Sequence, residues 1–155
     1  MRRLYGGFLR RLGAGVIDLA ILLVVFFLYF IALLVSGLAA VGANKWVIDP
    51  ELFFARATQV FVIFQLWCLV TWFFYYTFFH GVVGKTPGKM VMGLKVYLSS
   101  GEELATSIAF LRTAGYLLSA VVFFLGFFWV LVDKKKRAWH DLIAGTVVVR
   151  EGKTP

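Results

Sequence analysis

Cysteine, histidine, proline and acidic residues are all scarce in this chain. The single cysteine, Cys68, excludes an internal disulfide framework and a thiolate-based metal cluster. Lying within an apolar run, it reads as a small hydrophobe. The two histidines, His80 and His140, have no carboxylate cluster near them in sequence, although Asp141 adjoins His140. Neither a metal site nor any other cofactor is therefore expected. No Ser-His-Asp or Cys-His arrangement stands out, so the chain does not read as an enzyme. It has no internal repeats and no low-complexity linkers. Charged residues make up only 15% of the 155 residues, against about 25% in soluble domains.

What fills the space is apolar. Hydrophobic residues reach 61%, and a soluble fold of this length would leave too much of that surface facing water. Lipid can cover it instead. Acids are the scarcer charge, 8 against 16 Lys and Arg, for a net charge of +8. Such an excess suits nucleic acid or an anionic membrane. The charges lie mostly outside the apolar runs, so anionic lipid headgroups are the expected partner and nucleic acid is not. Arg2, Arg3, Arg10 and Arg11 ahead of an apolar stretch imitate a signal peptide, with Val41-Gly42-Ala43 as a passable cleavage site. The stretch from Leu19 to Val35 exceeds the usual ~7–15-residue signal core, so it reads as a retained span.

Three apolar runs organise a single membrane domain over residues 1–155. The first, about residues 12–40, can cross a ~30 Å hydrocarbon core as a tilted helix. Gly42, Asn44, Asp49 and Pro50 signal a turn or short loop. The second run, residues 58–79, ends in Trp72-Phe73-Phe74-Tyr75-Tyr76, which suits a membrane–water interface. Both spans must be helical, because a lone strand leaves its backbone groups unpaired in lipid. The glycine-rich, basic segment from His80 to Lys89 should lie outside the hydrocarbon. Leu94–Leu98 and Thr146–Val149 read as short strands. The third run, about residues 108–132, is interrupted by Arg112, Gly115, Ser119 and Gly126.

Orientation follows from the basic residues. The first twelve residues hold four arginines, residues 80–107 three lysines and residues 133–155 six basic residues. The positive-inside rule places all three segments in the cytoplasm of a multi-pass inner-membrane protein. Three full spans would put the tail outside. The third run holds too few residues for two spans of ~20. Two short helices broken near Ser119, entering and leaving on the cytoplasmic side, reconcile the charges and let the two strands pair. A tilted third span with an external tail is the alternative. The expected fold class is thus all-α: two full spans, a third re-entrant or broken helical segment, and a small cytoplasmic β element.

Asp18 is the main chemical signal. A charge within a span costs ~2.5–3.5 kcal/mol on insertion scales and ordinarily faces a partner inside a bundle. Arg11, two turns earlier on the same face and ~10 Å away along the axis, is one candidate. Asp18 either binds a proton or ion, or fixes helix packing. Arg112 also needs an acidic partner, and both Asp18 and Asp141 qualify. Gln59, Gln65, Thr71 and Thr77 could line a polar path, though inter-helix hydrogen bonds are their more common use. Gly84-Lys85-Thr86-Pro87-Gly88-Lys89 invites comparison with a phosphate-binding loop, but Phe79 stands where the first glycine is required. It reads instead as a turn whose lysines face lipid headgroups.

Three separated stretches stand out: Arg11-Leu12-Gly13-Ala14-Gly15-Val16-Ile17-Asp18, then Gly84 to Lys89 followed by Gly93-Leu94-Lys95-Val96, and finally Asp133 to Val149 with Trp139-His140-Asp141 at its centre. Together they resemble the RDD family of prokaryotic membrane proteins. The family is named for one arginine and two aspartates, and the matching positions are Arg11, Asp18 and Asp141. The resemblance implies a multi-pass membrane protein with a suggested role in transport, some members being assigned sodium/proton antiport. The leading expectation is a small cation- or proton-coupled transporter, with Arg11, Asp18, Arg112 and Asp141 as its polar cluster. Two spans alone enclose no pathway, so a homo-oligomer or a complex with other membrane proteins is expected. The competing expectation is a non-transporting scaffold or anchor.

Overall fold

The structure is a computed structural model describing residues 5–42, 50–122 and 125–152. Two long helices dominate: α1, Phe8–Gly42, and α2, Pro50–Phe78, which continues through a π-helical turn, Phe79–Val83. Both are long and apolar enough to cross a membrane, over Phe8–Ala39 and Phe53–Val83. The spans are wider than the sequence implied. Gly42 belongs to α1 and Pro50 opens α2, where proline's fixed φ suits the first turn. Asn44 and Asp49 lie outside the described residues. The aromatic cluster at residues 72–76 does not end the helix, because His80 to Val83 prolong it by a turn that has no polar side chain facing out.

The chain divides into two compact units, residues 20–72 and residues 1–19 with 73–155. In the first unit the helices meet through rings: Tyr29 stacks on Phe64 at 5.9 Å and on Trp67 at 5.8 Å. Leu22 is buried, whereas Val24, Phe27, Leu28, Phe61, Ile63 and Val70 are exposed. An apolar surface of that extent is lipid-facing by composition.

The second unit is built on a two-stranded antiparallel sheet. β1, Leu94–Leu98, pairs with β2, Thr146–Arg150, with Leu94 opposite Arg150 and Leu98 opposite Thr146. Val147, Val148 and Val149 are all buried, as expected of a strand covered on both faces. Gly6 N donates to Val148 O at 2.9 Å and Tyr5 bridges Val149, so the segment before α1 lies along the free edge of β2. The core gathers Ala14, Leu94, Val96, Leu104, Ala109 and Val148.

α3, Pro87–Val91, precedes β1, and between the strands run α4, Thr106–Val121, and α5, Leu125–Phe128, with a 3-10 turn, Trp129–Leu131. α6, Trp139–Ile143, leads into β2. The third apolar run is therefore a bent helix pair, turned by 111°. The break comes after Val121, two residues past Ser119, which itself lies in the last turn of α4. Ser119 also marks the close approach. A Cβ on Gly126 would fall 2.7 Å from Ser119 Cβ, so only glycine admits the return helix at this distance. Pro87 starts α3, and the Thr86 side chain accepts from Lys89 N at 3.4 Å, which makes Thr86 an N-cap.

Candidate functional site

Asp18 is 1% exposed on α1. It accepts three hydrogen bonds: from Thr86 Oγ1 at 2.6 Å, from Gly88 N at 2.7 Å and from Tyr75 Oη at 2.9 Å. All three donors are neutral. Neither Arg11 nor Arg112 reaches it, so of the two partners open to Arg11, Asp18 on its own helix face or another acid, the first is not taken. The spacing puts both residues on one face, but α3 packs against Ala14 and takes up Asp18. Gly88 makes that possible, because a Cβ there would lie 2.1 Å from Ala14 O.

Arg11 turns to Asp141 instead. Its Nη1 donates to Asp141 Oδ2, its Nη2 to Lys136 O, and its Nε to Gly6 O at 3.0 Å. Arg112 Nη2 donates to Asp141 Oδ1 at 2.6 Å, and Ala138 N to Asp141 Oδ2 at 3.0 Å. Asp141 is thus the shared acceptor of two guanidiniums and of the first turn of α6, where a carboxylate suits the helix dipole. Burial works against its ionised form, but the Arg11 and Arg112 charges outweigh it and hold the carboxyl well below the usual range. The expected cluster of four residues therefore resolves into two carboxylate centres.

The Lys85–Lys89 turn needs a correction. Lys85 pairs with Glu151 and is partly exposed, but Lys89 is 6% exposed and does not face headgroups. Its Nζ lies 2.5 Å from His80 Nε2 and donates to Tyr116 Oη at 3.4 Å. Burial first, and the Arg112 charge second, hold the Lys89 ammonium well below the usual lysine range. The Tyr116 ring packs at a tilt against His140, centroids 4.1 Å apart, and His140 Nε2 lies 3.5 Å from Asp141 Oδ1. Burial likewise lowers the His140 pKa, with the nearby Asp141 charge opposing it. A row of titratable groups, His80, Lys89, Tyr116 and His140, so runs from Asp141 to the α3 turn that binds Asp18. Gly84 takes a left-handed turn at φ 74° before this segment and accepts from Val96 N at 2.9 Å.

Sequence reasoning named Thr86, Gly88, Lys89 and His140 as a motif without seeing what they bind, and missed Tyr75 and Tyr116. One signal was legible: Thr-Pro-Gly at a helix start needs the threonine side chain turned inward. Tyr116, four residues after Arg112 on α4, carried a similar hint, since it shares Arg112's buried face. Gln59 and Gln65 are exposed on α2, and among the described residues no group of three or more His, Cys, Asp or Glu side chains could hold a metal.

The RDD family model matches residues 5–145. The uncharacterized protein YxaI of Bacillus subtilis (strain 168) is 29% identical over 125 residues, covering 78% of this chain and 82% of YxaI. No solved structure matches.

Proposed function

The chain belongs to the RDD family of membrane proteins, and from that premise we propose that it is a small proton-coupled cation transporter acting as an oligomer. The observation that carries this reading is Asp18, a buried carboxylate on a membrane-spanning helix whose three partners are all neutral donors. Such a charge can be neutralised by a proton or a small cation without first breaking an ion pair. Thr86 Oγ1 donates to Asp18 and also accepts from Lys89 N, so neutralising Asp18 loosens the turn that holds Lys89 against His80. Protonation at one centre is then felt at the other.

The same reading includes a topology. β1 and β2 pair, and the segment before α1 joins the far edge of β2. The N-terminal segment, the middle segment and the C-terminal strand then share one membrane side, the cytoplasmic one by the positive-inside rule. The bent helix pair enters and leaves on that side. Oligomerisation supplies the walls of a pathway that two spans cannot enclose.

Vesicles reconstituted with the protein and a pH-sensitive dye test the transport reading. Sodium- or potassium-driven proton movement should exceed that of empty vesicles and be lost in Asp18→Asn. Equal traces from wild type and empty vesicles sink it. One observation favours a scaffold: Asp141, Arg11 and the Lys136 carbonyl form a lock that ties the start of α1 to α6 and the segment before it. In that case the protein copurifies with a membrane partner and loses it on Arg11→Gln.

A further inference from the structure

Hydrocarbon offers no hydrogen bonds, so a polar side chain on a lipid-facing helix surface must find its partner within protein. Ser36 and Thr58, both exposed in the spans, return their hydroxyls to Leu33 O and Phe54 O at 2.9 Å each. Gln65 does not do so. It is exposed on α2, and its amide makes no hydrogen bond among the described residues. Gln59 is exposed as well, but it stands only three residues from Arg56, near the end of the span. Gln65 lies nine residues beyond Arg56, ~14 Å along the axis, and well short of the other end at Val83. At that depth its two methylenes cannot carry the amide back to the headgroups.

The helix surface around Gln65 is free to be covered. Val62 and Leu69, three residues before it and four after, share its face and are each 48% exposed. The seam with α1 runs along a neighbouring face, where Tyr29 stacks on Phe64 and where Cys68 and Thr71 are half-buried. Closing the Gln65 face therefore leaves that seam intact.

A primary amide carries both donors and an acceptor. Copies of one chain insert the same way round, so their Gln65 side chains lie at the same depth. A two-fold axis along the membrane normal then makes each amide the partner of the other. A helix of a different protein would need a polar side chain at a matching level. We propose that two copies of this chain pair along the Val62, Gln65 and Leu69 face of α2, each Gln65 amide N–H donating to the other's carbonyl oxygen. This gives the oligomer of the proposed function its contact face, and it rests on that reading for oligomerisation alone, not for transport.

The test uses the full chain in vesicles of phosphatidylcholine and phosphatidylglycerol, with donor and acceptor dyes on a tag after Pro155. Energy transfer between copies is read as the protein is diluted in lipid. Gln65→Leu suits a lipid-facing position, so it should fold normally, yet raise the dissociation constant of the pair roughly 10-fold as two inter-helix hydrogen bonds are lost. Gln65→Asn keeps donor and acceptor and should recover part of that loss. With Cys68→Ser as background, Val62→Cys should form a disulfide between copies on mild oxidation, because a disulfide tolerates only a short Cα separation. Ile63→Cys, 60% exposed but roughly opposite on the helix, should not.

Equal dissociation constants for wild type and Gln65→Leu overturn the interface, as does crosslinking of Ile63→Cys at the rate of Val62→Cys. If Gln65→Leu does not fold, those two cysteine variants, which keep Gln65, decide. Energy transfer no greater than random mixing at every dilution overturns the interface and the oligomer together, leaving lipid on this face. A different membrane protein held through Gln65 in place of a second copy overturns self-pairing. Gln65-dependent pairing without proton movement removes the transport reading and leaves the interface standing. Proton movement with pairing indifferent to Gln65 does the reverse.

Discussion

Single residues set the electrostatics of this protein, and Asp141 does most. Its carboxyl is fully buried and answers to Arg11, Arg112 and the Ala138 amide. Asp141→Asn leaves two guanidiniums without a counter-charge and should destabilise by about 3–5 kcal/mol, read as a lower unfolding temperature in detergent. The folded-state pKa lies below the ordinary one of about 3.9. Its contribution is therefore full above that value and is lost as pH falls below it. Lys89 works in the opposite region. The folded chain disfavours its ammonium, while the unfolded chain protonates it up to about pH 10.4. Stability should then climb by up to ~1.4 kcal/mol per pH unit from the depressed folded value towards 10.4, and level off above it. Lys89→Met should flatten that climb in a melting series from neutral to alkaline pH. An unchanged slope would mean that the ammonium is accommodated in the fold after all.

At the scale of elements, the short helix α3 is held by three devices at once. Thr86 caps it, Pro87 starts it, and Gly88 brings its backbone against α1. The sequence shows the first two, since threonine before proline is a helix-start pattern. It cannot show the third, because the reason for Gly88 is the Ala14 carbonyl, 74 positions earlier. Gly88→Ala places a Cβ 2.1 Å from that carbonyl and must push α3 off α1. We expect a loss of at least roughly 1–3 kcal/mol, as for overpacked cores. The Asp18–Gly88 bond goes with it, so the variant should also lose whatever Asp18→Asn loses in vesicles. The bent helix pair teaches the same lesson. Ser119 and Gly126 were legible as interruptions of an apolar run, but that they face each other across a turn depends on how α5 returns.

For the whole molecule, strand pairing constrains topology more tightly than charge counting. Because Leu94–Leu98 and Thr146–Arg150 hydrogen-bond in one sheet, the chain between them must end on the side where it began. A reporter fused after Pro155 should read as cytoplasmic, as should one fused ahead of Met1. An external reading after Pro155 rules out the re-entrant pair.

The sequence by itself determined the membrane class, the two spans, both strands and the family, because these follow from local composition, run length and motif order. Hydrophobic length decides whether a helix can cross lipid, and no distant contact alters it. It also marked Arg11, Asp18, Arg112 and Asp141 as residues that need partners, since a charge near hydrocarbon always does. Only the tertiary structure decided who pairs with whom. Asp18 went to the Thr86–Gly88 turn, Asp141 to both arginines, and Lys89 to His80. Those choices depend on how α3, α4 and α6 dock on α1, and docking is set by small residues such as Gly88, whose purpose lies in a neighbour remote along the chain.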